Sequence, residues 1–121
     1  MAQPQLSTHK PPPAALLFLS LLNALRQVDP EFPLQYAICL TEIAIHEGIS
    51  LTQLAERTHL ALSTVSRIVG ALSTVRQSGQ AYGLVLLKIS PQERRRKELY
   101  LTPKGWTVMR GVLNILDRAP T

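Results

Sequence analysis

Residues 50–72 read SLTQLAERTHLALSTVSRIVGAL, and the fold is decided by how they are parsed. Ile49, Ser50 and Leu51 form a short extended link. Residues 52–58 make a short helix, Leu60, Ala61 and Leu62 turn the chain, and a second helix opens at Ser63 and runs to Leu72. Val65, Ile68, Val69 and Leu72 repeat at i, i+3, i+4 and i+7, one face of an α-helix. Ser63 and Thr64 are of the type that caps the free amides of a first turn. A short helix, a tight turn and a second helix opening on small hydroxyl residues make a helix-turn-helix. The second helix of that motif enters a major groove about 12 Å wide, with its first turn facing base edges and phosphates. Here that turn carries Ser63, Thr64, Ser66 and Arg67, and Thr52 and Gln53 start the preceding helix within reach of phosphate. The plainer reading of the same residues is a capped surface helix.

Downstream, residues 84–89 (LVLLKI) have the length and composition of a strand. Residues 98–102 (ELYLT) alternate, which makes a second strand with Leu99 and Leu101 inward. The connection between them, residues 90–97 (SPQERRRK), places Arg94, Arg95, Arg96 and Lys97 in succession. A basic run is commonly a solvated loop, but at a hairpin tip beside a helix-turn-helix its guanidinium groups suit a narrow minor groove. Residues 77–83 form a loop whose Tyr82 either approaches a DNA backbone or simply packs. Arg76 and Lys88 read as surface charges. A last helix spans about 103–118, with Trp106, Met109, Leu113 and Leu116 on one face and Val112 at its margin.

Upstream, a helix is expected over about 13–28, with proline tolerated in its first turn. It is leucine-rich around most of its circumference, and Leu16, Leu17 and Leu21 are among the residues that one small domain cannot cover from one side. A partner subunit is the expected second cover, with Trp106, Met109, Leu113 and Leu116 of the last helix contributing. The helix over about 33–47 stops at Gly48 and is expected to be central and mostly buried. Residues 1–12 carry Pro4, Pro11 and Pro12 and read as a flexible arm, leaving residues 13–121 as one domain.

The net charge of +5 is unevenly distributed. Residues 1–60 hold Lys10, Arg26 and Arg57 against Asp29, Glu31, Glu42, Glu47 and Glu56, whereas residues 61–121 hold ten basic residues against Glu93, Glu98 and Asp117. Such asymmetry points to a polyanion. The apolar run over 14–25 is too short to span a bilayer, which takes about 20 residues, and it lacks a basic polar face for lying on one. A single cysteine excludes an internal disulfide and suits a reducing compartment. Cys39 reads as an inert core thiol, the alternative being a redox sensor. Glu42 and His46, at i and i+4, are two ligands that do not make a metal site by themselves; His59 or Cys39 would have to join them. No phosphate-binding glycine loop, paired CxxC, HExxH or GxSxG motif is present, so neither an enzyme nor a cofactor is expected.

Residues 34–76 and 84–105 resemble the multiple-antibiotic-resistance regulator (MarR) family of winged-helix repressors. The matching segments are SLTQLA at 50–55, STVSRIV at 63–69, SPQERRRK at 90–97 and LYLTPKG at 99–105. The chain departs from the family where aspartates usually open the wing, here Ser90 and Glu93, and in the extra residues 77–83. The resemblance implies a mainly α winged helix-turn-helix with about five helices and a small β-hairpin wing. It further implies a homodimer on a pseudo-palindromic DNA operator, acting as a transcriptional repressor in the bacterial cytoplasm at the nucleoid, with a small-molecule effector left open. The competing expectation is a winged helix within a plasmid or phage replication or partition complex, or one used as a protein-interaction module.

Overall fold

The computed structural model describes residues 10, 12–73, 82–93 and 95–118. Most of the proline-rich arm, the loop residues 77–81, Arg76, Arg94 and residues 119–121 lie outside the described residues. In chain order the described elements are α1 (Pro13–Arg26), α2 (Leu34–Ile45), β1 (Ile49–Ser50), α3 (Leu51–Thr58), α4 (Leu62–Leu72), β2 (Val85–Ile89), β3 (Lys97–Leu101) and α5 (Pro103–Asp117).

Pro13 opens α1 and Pro103 opens α5, where the missing amide costs no hydrogen bond. Helix α1 has no buried residue and packs along α5. Helix α2 buries Cys39, Leu40 and Ile43. The expectation of a mostly buried α2 is corrected on its other side, where Leu34 is 72% and Ile45 63% exposed, with Ile38 beside them also exposed. The described chain covers one face of this helix, and the second apolar stripe has nothing over it. The helix also ends earlier than its apolar pattern implies. His46 leaves helical geometry, and Gly48, at φ +91°, turns the chain toward the sheet.

The link over 49–51 is more than extended chain. Ile49 and Ser50 form β1, antiparallel to β3 through the pairs Ile49–Leu99 and Ser50–Glu98, and the sheet order is β1-β3-β2. Ser50 also caps α3: its hydroxyl accepts the Gln53 amide at 3.1 Å, and Gln53 Oε1 accepts the Ser50 amide at 3.0 Å. This reciprocal pair satisfies two amides that α3 leaves without intrahelical partners. Ser50→Ala is expected to cost about 1 kcal/mol in urea denaturation; an unchanged midpoint would show that the cap contributes nothing. Helix α4 lacks such a cap. Its N-cap position falls on Ala61, so Ser63 and Thr64 lie inside the helix and cap nothing.

Leu40, Ile43, Leu54, Val65, Leu72 and Leu99 are the centre of the core. Leu99 and Leu101 alternate inward as expected. Thr102 joins the hairpin to α5. Its amide donates to the Leu84 carbonyl at 3.0 Å, its hydroxyl donates to the Gly83 carbonyl at 2.7 Å, and that hydroxyl oxygen accepts the Gly105 amide at 3.0 Å.

Cys39 is fully buried, and burial, reinforced by the nearby Glu42 charge, pushes its thiol up to about 11. Because the folded state holds this proton more tightly than an unfolded thiol near 9, the thiol favours the fold below about pH 9, and that contribution is lost as pH rises toward 11. A thiol-specific colorimetric reagent at pH 8 is expected to leave native protein untouched and to titrate one thiol in denaturant. Fast native labelling would contradict an inert core thiol. No helix among the described residues is long and apolar enough to cross a membrane.

Candidate nucleic-acid interface

Val65, Ile68, Val69 and Leu72 turn inward on α4, and this forces Leu62, Ser63, Ser66 and Arg67 to the outside, with Thr64 half-buried. On α3, burial of Leu54 and Ala55 leaves Thr52 and Gln53 exposed. The β2–β3 hairpin stands beside these two helix ends. Between them lies a groove of about 460 Å³ lined by Thr52, Leu62, Ser66, Arg95, Arg96 and Lys97, among others. Residues from three separate parts of the sequence thus converge on one concave surface.

The wing cations are not equivalent. Arg95 and Lys97 are exposed, and Lys97 belongs to β3, where it pairs with Ile89 across the hairpin. Arg96 is half-buried and held within the chain. Its Nη2 donates to Gln53 Oε1 at 3.0 Å, and its Nε lies 3.9 Å from Glu98 Oε2, too far for a hydrogen bond. That Nε is buried with no hydrogen-bond partner among the described residues. Gln53 Oε1 therefore serves both the α3 cap and the wing. Arg96 reads here as a strut between wing and α3 more than as a free hand for a ligand. On the outer hairpin surface, the Lys88 ammonium sits 5.2 Å from the centre of the Tyr100 ring. The Tyr100 hydroxyl donates to Glu98 at 3.2 Å, and this bond raises its pKa above the ordinary phenol value.

Other candidates fall elsewhere. Tyr82 packs edge-on against Phe32 and Tyr36, at 5.4 and 6.1 Å between ring centres, and its hydroxyl donates to Asp29 at 2.6 Å. These contacts are those of the packing reading. Glu42 pairs with Arg57 of α3, and no group of three potential metal ligands occurs among the described residues. Met109 is buried in the chain's own core, which removes it from the expected dimer contacts because no partner could reach it. Leu17, Leu21 and Trp106 are half-buried, while Leu16, Leu113 and Leu116 are exposed. Leu62 is a groove residue that the sequence reading assigned only to a turn. Its signal is a large apolar residue at the first position of the second helix of the helix-turn-helix.

No family model and no curated protein sequence matches the chain. Solved structures do. MepR of S. aureus in complex with DNA superposes with a TM-score of 0.70 at 20% identity, over 86% of this chain and 78% of that one. The transcriptional repressor CouR, bound to a 23-mer DNA duplex, gives 0.63 at 21% identity, over 88% and 68%. The PcaV transcriptional regulator of Streptomyces coelicolor, in complex with its natural ligand, gives 0.61 at 27% identity, over 98% and 80%. The chain therefore has the winged helix-turn-helix fold of the MarR-type transcriptional regulators.

Proposed function

We propose that this chain binds double-stranded DNA sequence-specifically as a homodimer and represses transcription by occupying a pseudo-palindromic site in a promoter. The observation that carries this reading is the single groove formed by the first turns of α3 and α4 and the basic wing. In it, α4 enters the major groove with Ser63, Thr64, Ser66 and Arg67 forward, Thr52 and Gln53 meet phosphate, and Arg95 and Lys97 follow the flanking backbone. Arg94 continues the same basic run in sequence, and Arg96 aims the wing. Exposed Leu16, Leu113 and Leu116 on α1 and α5, together with half-buried Leu17, Leu21 and Trp106, are the surface that a second copy covers. The chain works in the bacterial cytoplasm, on the nucleoid, without a cofactor and without catalysis of its own. MepR and CouR, which share the fold, were solved on DNA.

Fluorescence anisotropy tests this with a labelled duplex of about 30 base pairs from the gene's own upstream region, long enough for two half-sites a helical turn apart. A scrambled duplex runs beside it. Preference for the upstream duplex that survives near-physiological salt is expected. Equal, salt-sensitive binding to both would reduce the protein to a nonspecific binder, and no binding at low salt would sink the DNA reading.

A further inference from the structure

Leu62 is the first residue of α4 and stays 50% exposed, whereas Val65 and Ile68 of the same helix are buried. It lies in the groove with Thr52, Ser66, Arg95, Arg96 and Lys97. The groove also holds half-buried Leu51 and the carboxylate of Glu93 among its hydroxyls and cations, and an isobutyl group left exposed there gains nothing from phosphate or from water. The end of α4 is also bare beneath it, since Ala61 at the N-cap position brings no side chain to the first amides. Within a DNA major groove the apolar feature that such a group can meet is the C5 methyl of thymine. Resting on the DNA-binding reading above, we infer that Leu62 is a specificity-determining residue that reads a thymine methyl in each half-site. The neighbouring hydroxyls could bond several bases. The leucine would narrow that choice, because removing its methyl partner leaves apolar surface against a polar base edge.

The inference separates cleanly from the reading it rests on, because thymine and deoxyuridine differ by this methyl alone. A preferred duplex is first selected from a random pool with the wild-type chain. Each thymine is then replaced in turn by deoxyuridine, and affinities are compared by anisotropy. At each of one symmetric pair of positions the replacement is expected to weaken wild-type binding about fourfold, and at both together roughly 15-fold. Leu62→Ala is expected to bind the thymine duplex as weakly as wild type binds the uracil one, with no further loss on uracil. Leu62→Met, which keeps the apolar bulk, is expected to retain the preference and shows that the alanine variant has lost a contact and not its fold. A wild-type protein that binds DNA but is indifferent at every thymine overturns the inference and leaves the DNA reading standing. So does a preference that survives Leu62→Ala, since another group would then read the methyl. Failure to select any duplex overturns both.

Discussion

A chain carrying Arg67→Ala, Arg95→Ala and Lys97→Ala together is expected to lose at least about 100-fold in affinity for duplex DNA at moderate salt. All three side chains are exposed, Arg95 and Lys97 in the groove between α4 and the wing and Arg67 on the outer face of α4, and none forms an ion pair among the described residues. A dimer would lose six cationic contacts. Each contact releases about one condensed counterion, so the logarithmic salt dependence should become shallower by about five. Arg67 sits in the second turn of α4 on its exposed face, so its loss should also alter which duplex is preferred. Arg95 and Lys97 should weaken all sequences alike. Anisotropy titrations across a salt series separate these effects. A slope that stays at its wild-type value would show that this groove does not face DNA.

Gly105→Ala is expected to destabilise the fold by about 3 kcal/mol or more, a fall of roughly 10–15 °C in unfolding midpoint. A Cβ at this position would stand 2.1 Å from the Leu84 carbonyl oxygen, a distance that no side-chain adjustment relieves because the obstacle is backbone. That carbonyl already accepts the Thr102 amide, so moving it breaks the joint between hairpin and α5. Gly111, on the same helix, provides the control. Nothing lies within 4 Å of its added Cβ, so Gly111→Ala should be neutral or stabilise by up to about 1 kcal/mol through helix propensity. Equal midpoints for the two variants, measured by circular dichroism, would show that the close approach at Leu84 is not rigid.

What the sequence reveals follows the range of the interaction concerned. The helix-turn-helix is legible because its apolar stripe and turn lie within a few residues of one another. The hairpin is legible from the alternation around Leu99 and Leu101. Strand β1 is hidden, since a strand of Ile49 and Ser50 gains meaning only through Leu99 and Glu98. The tether on Arg96 is hidden for the same reason, its acceptor Gln53 lying 43 positions away. The capping of α4 turns on a shift of two residues, Ala61 in place of Ser63, which is finer than periodicity resolves. The exposure of Leu34 and Ile45 is invisible in principle, because an apolar stripe does not say whether anything covers it.

The pairing of Ile49 with Leu99 makes a closed loop of about 50 residues, and the whole helix-turn-helix lies inside it. Closing a flexible loop of that length costs about 3–4 kcal/mol in chain entropy before any constant term. Helices α3 and α4 and the β2–β3 hairpin are local and can form within microseconds, whereas this clasp must wait for both of its sides. The orientation of α4 relative to the wing therefore depends on a contact between residues 50 positions apart. A strand of two residues is thus the clasp that fixes the helix-turn-helix against the hairpin.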